Sequence, residues 1–216
     1  MRIQGGIFDL DGTLLDSMFI WDGVGEAYLR SRGLTPEPGL NEKFKVMSIL
    51  QAAEYYRSHY GITDSVETII AGVNGRITHL YTDEVGLKPG VAQLLHRLRE
   101  KGVALCVATA TDRHLVEAAL RRTGIFDCFQ AIFTCTEVGF GKDSPVIFQR
   151  ALDYLGTEQS QTFVFEDAPH AIETAKAAGF PVVGVYDASA EGEQEKLQAL
   201  CDYYVNSFED WSEEIQ

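Results

Sequence analysis

The most informative stretch of the chain is Ile7-Phe8-Asp9-Leu10-Asp11-Gly12-Thr13. Its apolar start predicts the end of a short buried strand, because the aspartates and the glycine that follow are typical of turns. Two carboxylates, Asp9 and Asp11, therefore stand at the end of this first strand. In open α/β sheets that edge is where ligands bind.

Four more short apolar runs are bounded by turn residues and predict further strands, at 103–108, 131–133, 162–165 and 181–185. Amphipathic helical patterns separate them. One helix is expected between Pro89 and Gly102, and another is expected to begin with Ser144 as its N-cap and to end before Gly156. This alternation predicts a doubly wound parallel sheet, which is a Rossmann-like α/β core.

Residues 17–87 interrupt the alternation, because they contain no convincing buried strand. They predict helices over about 18–32, 41–60 and 65–82, punctuated by glycines. We therefore expect an α/β core domain at 1–16 and 88–216, with an inserted all-α cap domain at 17–87.

Composition limits the class of function. The chain has 216 residues and a formal net charge of −14, so binding to nucleic acid or to an anionic membrane surface is not expected. Residues 187–216 hold nine acidic residues and one basic residue, which predicts a solubilising surface. The chain lacks C-x-x-C spacing, a signal-peptide core and a long apolar run. We expect a cytoplasmic protein, with a monomer favoured.

Polar residues follow other predicted strands as well. Thr109-Ala110-Thr111 follows the second strand, Glu166-Asp167 follows the strand at 162–165, and Lys142 precedes the helix predicted at Ser144. Clustered carboxylates are costly without a cation, and oxygen ligands of this kind favour Mg²⁺. Such an ion also usually takes a phosphate oxygen of the substrate as a ligand. We therefore expect a Mg²⁺ site that receives a small phosphorylated metabolite.

Each group has a plausible catalytic role. Asp9 can attack phosphorus and form an aspartyl-phosphate. Asp11, two residues on, can protonate the leaving oxygen and later accept a proton from water. The Thr109 hydroxyl and the Lys142 ammonium can hold the phosphoryl oxygens.

The motif Asp9-Leu10-Asp11-Gly12-Thr13-Leu14-Leu15-Asp16-Ser17 resembles the first signature of the haloacid dehalogenase-like hydrolase superfamily. Thr109, Lys142 and the pair Glu166-Asp167 match its other three signatures in order. The helical insertion resembles the cap of the β-phosphoglucomutase-like branch. The resemblance implies a nucleophilic Asp9, an acid/base Asp11, and Mg²⁺ held by Asp9, the Asp11 carbonyl and Asp167, with Glu166 nearby or direct.

The chain departs from the family pattern in three places. Asp143, rather than proline, follows Lys142, and the fourth motif continues as Ala168-Pro169-His170. Sugar phosphomutases of this branch carry a histidine twelve residues after the nucleophile, where this chain has Trp21. Without that histidine, water is expected to react with the phosphoenzyme, which favours a phosphatase.

Five residues are predicted to contact substrate: Thr13, Trp21, Ala110, Thr111 and Arg113. For Trp21, packing of the first helix of the insertion is the alternative to lining the pocket. His114 and His170 follow the second and fourth motifs closely enough to be further candidates.

Two other reactions of the same superfamily are the alternatives. A sugar phosphomutase would convert β-glucose 1-phosphate to the 6-phosphate. A haloacid dehalogenase proper would need neither a metal nor an acid at Asp11, so the presence of Asp11 argues against it.

Two alternatives lie outside this superfamily. A phosphoacceptor signalling module also places acids, Thr and Lys around Mg²⁺, but it is shorter and lacks a large insertion after the first strand. A dinucleotide-binding domain is disfavoured because no G-x-G-x-x-G follows the first strand.

Overall fold

A parallel sheet forms the centre of the molecule. The computed structural model describes residues 3–44 and 47–211. Within these residues the strands are β1 Gly5–Phe8, β2 Ala104–Thr109, β3 Ala131–Thr134, β4 Thr162–Glu166, β5 Val182–Val185 and β6 Tyr203–Val205. They lie in the order β3-β2-β1-β4-β5-β6, and every neighbouring pair is parallel. The doubly wound α/β core predicted from the sequence is confirmed.

Consecutive side chains of a strand point to opposite faces of the sheet. Both faces are buried here, each in its own apolar cluster. Phe8 of β1 packs in one apolar cluster with Phe163 and Phe165 of β4. Ile7 packs in a second cluster with Val164, on the other face. The rings of Phe8 and Phe165 stack with centroids 4.0 Å apart, directly beneath the strand ends.

Helices cover the sheet and form the insertion. Those in the described residues are α1 Met18–Trp21, α2 Val24–Ser31, α3 Leu40–Phe44, α4 Ile49–Tyr60, α5 Val66–His79, α6 Val91–Glu100, α7 Arg113–Arg122, α8 Cys135–Val138, α9 Val146–Leu155, α10 Pro169–Ala177 and α11 Gln194–Leu200. A π-helical turn, Leu80–Glu84, continues α5. None of the helices in the described ranges is both long enough and apolar enough to cross a bilayer.

The insertion is more broken than its sequence predicts. The expected helix at 18–32 is divided into α1 and α2 by Gly23, whose φ of +78° is left-handed. The expected helix at 41–60 is divided by Ser48, which caps α4 in a reciprocal hydrogen-bonded pair with Gln51. Residues 45 and 46 of that predicted helix lie outside the described residues. The insertion has its own apolar cluster, which includes Tyr28, Tyr56 and Ile69.

Two smaller expectations also need correction. Helix α9 begins at Val146 with Pro145 as its N-cap, one residue later than the Ser144 cap that the sequence predicts. The segment after residue 186 is not only a solubilising surface, because it forms α11 and the edge strand β6. Its Phe208 and Trp211 are buried against Phe165 at ring distances of 6.4 and 5.5 Å. The last residues of the predicted core domain, 212–216, and its first two lie outside the described residues.

Candidate active site

The carboxyl ends of β1, β2 and β4 bring the predicted catalytic residues to one edge of the sheet. Phe8 of β1 is paired with Val107 of β2 and with Phe165 of β4, so the residues that follow these positions are neighbours. The backbone N–H of Asp9 continues the ladder by donating to the carbonyl of Phe165 at 3.0 Å. Parallel register therefore places Asp9 beside Glu166.

A buried cluster of charged groups results. Asp9, Glu166 and Asp167 each offer a carboxylate oxygen, and these oxygens lie within 4.8 Å of one another. Lys142 joins them: its ammonium bonds to Oδ1 of Asp9 and, at 2.6 Å, to Oε1 of Glu166. The other oxygen of Glu166 accepts from the backbone N–H groups of Asp167 and Ala168, at 2.8 and 3.0 Å. Glu166 is thus fixed from both sides.

The electrostatics of the cluster follow from its burial. Desolvation, with repulsion from Glu166, raises the pKa of Asp9 to about 8, although the Lys142 ammonium opposes the rise. Burial and the charges of Glu166 and Asp9 raise the pKa of Asp167 well above its usual range. The pKa of Lys142 is raised by the two carboxylates that it contacts, against the effect of its burial. One ammonium cannot neutralise three ionised carboxylates, and the raised pKa values of Asp9 and Asp167 reflect both burial and this shortage of positive charge.

Thr13 and Gly12 support Asp167. The Thr13 hydroxyl donates to Oδ1 of Asp167 at 2.7 Å, and Thr13 is fully buried. Gly12 has a φ of +82°, and a Cβ atom there would lie 2.3 Å from Oδ2 of Asp167. The Thr13 side chain faces this carboxylate rather than the cavity described below, and a contact of Thr13 with substrate stays a prediction.

Asp11 is held by hydroxyl groups on both of its oxygens. Ser17 and Tyr81 donate to Oδ1 at 2.5 and 2.6 Å, and Thr111 donates to Oδ2 at 2.6 Å. Tyr81 in turn accepts from the indole Nε1 of Trp21 at 3.0 Å. Tyr81 lies seventy residues away from Asp11 and carries no motif that would have singled it out in the sequence.

The residues after β2 surround the same point. The Thr109 hydroxyl accepts from the backbone N–H of Thr111 at 3.0 Å, so the turn is closed by its own side chain. Thr109, Ala110 and Thr111 all line the cavity above the carboxylates. Their positions agree with their predicted places, and their contacts with substrate stay a prediction.

A cavity of about 800 Å³ opens above the cluster. Its floor contains Asp9, Asp11, Lys142, Glu166 and Asp167. Its opposite wall comes from the insertion and is largely apolar, with contributions that include Trp21, Phe44, Ile49, Tyr56 and Val73. Polar chemistry on one side and an apolar wall on the other are typical of sites for small organic ligands.

Trp21, His170 and Lys88 also line this cavity, whereas Arg113 does not. The Arg113 guanidinium is bound by Glu137 at 2.5 Å and by the carbonyl of Ile132 at 2.7 Å. Arg113 and His114 line a separate surface groove. Arg113 stands near the second motif in sequence, but α7 carries its side chain toward β3 and α8. Its contact with substrate stays a prediction.

Lys88 is a member of the cavity wall that the sequence did not single out. Its ammonium contacts Oδ2 of Asp187 at 2.8 Å and the carbonyl of Tyr186 at 2.6 Å. These contacts tie the segment after the insertion to the end of β5.

The sequence model of the haloacid dehalogenase-like hydrolase family matches residues 3–179 of this chain, which include all four motifs and the insertion. The chain belongs to this family. It is therefore an enzyme of the hydrolase class, as the sequence predicts.

Several curated relatives of this haloacid dehalogenase-like hydrolase are named as phosphatases. Validoxylamine A 7'-phosphate phosphatase of Streptomyces hygroscopicus subsp. limoneus is 31% identical over 195 residues, which cover 88% of this chain and 91% of that protein. Hexitol phosphatase A of Escherichia coli (strain K12) is 27% identical, over 86% of this chain and 84% of that protein.

Solved structures share the fold of this hydrolase. CbbY from Rhodobacter sphaeroides, in complex with phosphate, superposes with a TM-score of 0.83 at 22% identity, over 97% of this chain and 96% of that chain. β-Phosphoglucomutase from Clostridium difficile gives a TM-score of 0.81 at 21% identity, over 99% and 95% of the two chains. The fold of the chain is therefore that of these two structures.

Proposed function

We propose that the protein is a Mg²⁺-dependent phosphatase that hydrolyses a small phosphorylated metabolite, such as a sugar phosphate, through an aspartyl-phosphate. The observation that carries the proposal is the buried group of Asp9, Lys142, Glu166 and Asp167 on the floor of a ligand-sized cavity. Family membership and the phosphatase names of the relatives support it.

The donor set fits Mg²⁺. Hard divalent cations prefer carboxylate and carbonyl oxygens. The three clustered carboxylates carry more negative charge than the Lys142 ammonium can neutralise. Asp9, Glu166 and Asp167, with the Asp11 carbonyl that the family resemblance implies, would hold the ion. When bound, it would supply charge neutralisation that lets an anionic phosphate approach Asp9.

Phosphoryl transfer begins at Asp9. A carboxylate oxygen of Asp9 forms a bond to phosphorus while the bond from phosphorus to the leaving oxygen breaks. Protonated Asp11 gives its proton to the leaving alcohol. The Lys142 ammonium, already on Asp9, stabilises negative charge on the phosphoryl oxygens with the Thr109 hydroxyl.

Hydrolysis of the phosphoenzyme reverses these roles. Asp11, now a carboxylate, accepts a proton from water as the water oxygen bonds to phosphorus. The bond between phosphorus and Asp9 breaks, which releases inorganic phosphate and restores Asp9. The net products are the alcohol and phosphate.

A phosphatase is favoured over a mutase because of Trp21. The indole occupies the position where sugar phosphomutases of this branch have a histidine. Its N–H donates a hydrogen bond to the Tyr81 hydroxyl. Incubation with β-glucose 1-phosphate tests the choice. Free phosphate is expected, and accumulation of the 6-phosphate would indicate a mutase.

We also propose that residues 17–87 act as a cap over a core of residues 1–16 and 88–216. Support comes from the separate apolar cluster of the insertion and from its contribution to the cavity wall. A cap of this kind would exclude water during transfer to Asp9 and open for product release.

The nucleophile and the metal are tested together. Wild-type protein is expected to hydrolyse 4-nitrophenyl phosphate with added Mg²⁺, and to lose the activity on chelation. Asp9→Asn is expected to be inactive while melting within a few degrees of wild type. Full activity of Asp9→Asn, or a metal-independent rate, would contradict the proposal. A phosphoenzyme that persists for minutes without turnover would instead indicate a phosphoacceptor module.

A further inference from the structure

The phenol of Tyr81 connects the helical insertion to Asp11, the acid/base of the proposed reaction. Tyr81 is fully buried and does not line the cavity, so it has no route to the substrate. Its hydroxyl donates to Oδ1 of Asp11 at 2.6 Å and accepts from Trp21 Nε1 at 3.0 Å. A buried phenol with both hydrogen-bond functions used is held in one orientation.

The backbone that presents Tyr81 is itself unusual. Tyr81 lies in the π-helical turn Leu80–Glu84, and such turns occur frequently at functional sites. Arg122, on α7 of the core, donates to the carbonyl of Tyr81 at 3.2 Å and also bonds to the carbonyl of Val85. The turn is thereby fastened to the core at the place where its side chain reaches Asp11.

The donors around Asp11 come from two parts of the chain. Ser17 and Tyr81 belong to the two ends of the insertion, whereas Thr111 follows β2 in the core. Tyr81 shares Oδ1 with Ser17, which leaves Oδ2 to Thr111. The orientation of the carboxyl group therefore depends on the insertion as well as on the core.

We propose that Tyr81, buttressed by Trp21, is a positioning residue that sets the orientation of the Asp11 carboxyl group for proton transfer. The proposal rests on the proposed function for its kinetic consequence, because it assigns to Asp11 the proton given to the leaving oxygen. It also makes a structural claim that is independent of any activity: Asp11, Tyr81 and Trp21 form one hydrogen-bonded chain.

The kinetic test uses two esters that differ in their need for an acid. Phenol is a poorer leaving group than 4-nitrophenol, so phenyl phosphate depends more on Asp11. Tyr81→Phe is expected to lower kcat/KM about tenfold for phenyl phosphate and less than about threefold for 4-nitrophenyl phosphate, as a part of the contribution of a general acid. Added to Asp11→Asn, it should cause little further loss, because it acts through Asp11.

Tyr28→Phe is the matched control, since Tyr28 is a buried tyrosine of the insertion that does not line the cavity. Tyr28→Phe is expected to leave kcat/KM unchanged for both esters. Equal losses on both esters for Tyr81→Phe, or no loss on either, would overturn the positioning role. Wild-type protein no more active than Asp9→Asn would instead remove the proposed function, and the next measurement would still decide the hydrogen-bonded chain.

That measurement uses the indole signals of the two tryptophans, Trp21 and Trp211, in ¹⁵N-labelled protein. Trp21→Phe assigns the Trp21 signal. Asp11→Asn and Tyr81→Phe are each expected to shift that signal and to leave Trp211 in place, whereas Tyr28→Phe shifts neither. An unmoved Trp21 signal in both Asp11→Asn and Tyr81→Phe would overturn the connection from Asp11 to Trp21.

Discussion

The Thr13 hydroxyl holds the carboxylate of Asp167 by a buried hydrogen bond of 2.7 Å, although the two residues are 154 positions apart. The bond orients Asp167 within the carboxylate cluster and makes Thr13 a support for the proposed metal site. Residues that orient metal ligands typically affect metal affinity by tenfold or more when changed.

Thr13→Val keeps the shape of the side chain and removes this donor. We expect the Mg²⁺ concentration for half-maximal activity to rise about tenfold, with a smaller effect on the rate at saturating metal. Thr123→Val is the control, because the Thr123 hydroxyl only bonds to the carbonyls of Ala119 and Leu120 at the end of α7. A metal titration identical to that of wild type would contradict the assignment of Thr13.

Gly12→Ala is expected to abolish activity, because the new methyl group would lie 2.3 Å from the Asp167 carboxylate. It would also strain a backbone with φ of +82°. Gly124→Ala separates the two effects, since Gly124 has a φ of +76° and open space around its Cβ position. The strained φ should lower the free energy of unfolding of both variants by about 1–2 kcal/mol. Only Gly12→Ala should lose catalytic activity. Equal activities would mean that the glycine serves the turn alone.

The raised pKa of Asp9 predicts how the metal-free protein responds to pH. Its value of about 8 exceeds the usual 3.8, so the folded protein keeps a proton that the unfolded chain releases. This contribution to stability is complete below about pH 4 and is lost as the pH rises toward 8. In chelator, the melting temperature should therefore be lower at pH 8 than at pH 6.

Added Mg²⁺ should stabilise the protein more at pH 8 than at pH 6, because the carboxylates must lose their protons to bind it. In Asp9→Asn the difference between the two pH values should be smaller. A melting temperature in chelator that rises from pH 6 to pH 8 would show that the cluster does not hold protons in the folded state.

Lys142→Met tests the only ammonium seen in contact with the carboxylate cluster in the described residues. Its removal would take away the charge that we propose to stabilise the transferring phosphoryl group, and we expect kcat to fall about a hundredfold or more. Lys176→Met is a control, since Lys176 pairs with Asp202 on the surface. A loss below tenfold would leave Lys142 a structural counter-ion rather than a catalytic group.

The sequence predicts well what depends on local pattern. The sequence predicts the end of β1 at Phe8 and both ends of β2 to β5 within one residue, because each is a short apolar run with turn residues beside it. The clustering of the carboxylates could be predicted because parallel strand ends must meet at one edge. Lys142 was named from its loop before the helix that follows β3, and it lies beside them. The order of the motifs along the chain and the geometry of a parallel sheet therefore predict the same site.

The remaining features depend on contacts that no local pattern reveals. Tyr81 reaches Asp11 across seventy positions, and its place depends on a π-helical turn fastened by Arg122. Strand β6 was missed because three residues in an acidic segment give a weak pattern, although the edge of the sheet accepts them. The pairing of Arg113 with Glu137 could not be predicted, because proximity in sequence says nothing about which side of α7 a residue occupies.

The packing of Phe208 and Trp211 on Phe165 has a consequence for biosynthesis. Phe165 immediately precedes Glu166, so the apolar layer under this carboxylate stays incomplete until residue 211 has emerged from the ribosome. Domains generally mature as units during synthesis. A nascent chain halted before that point would expose the underside of β4, and it would be a client for chaperones rather than a working catalyst.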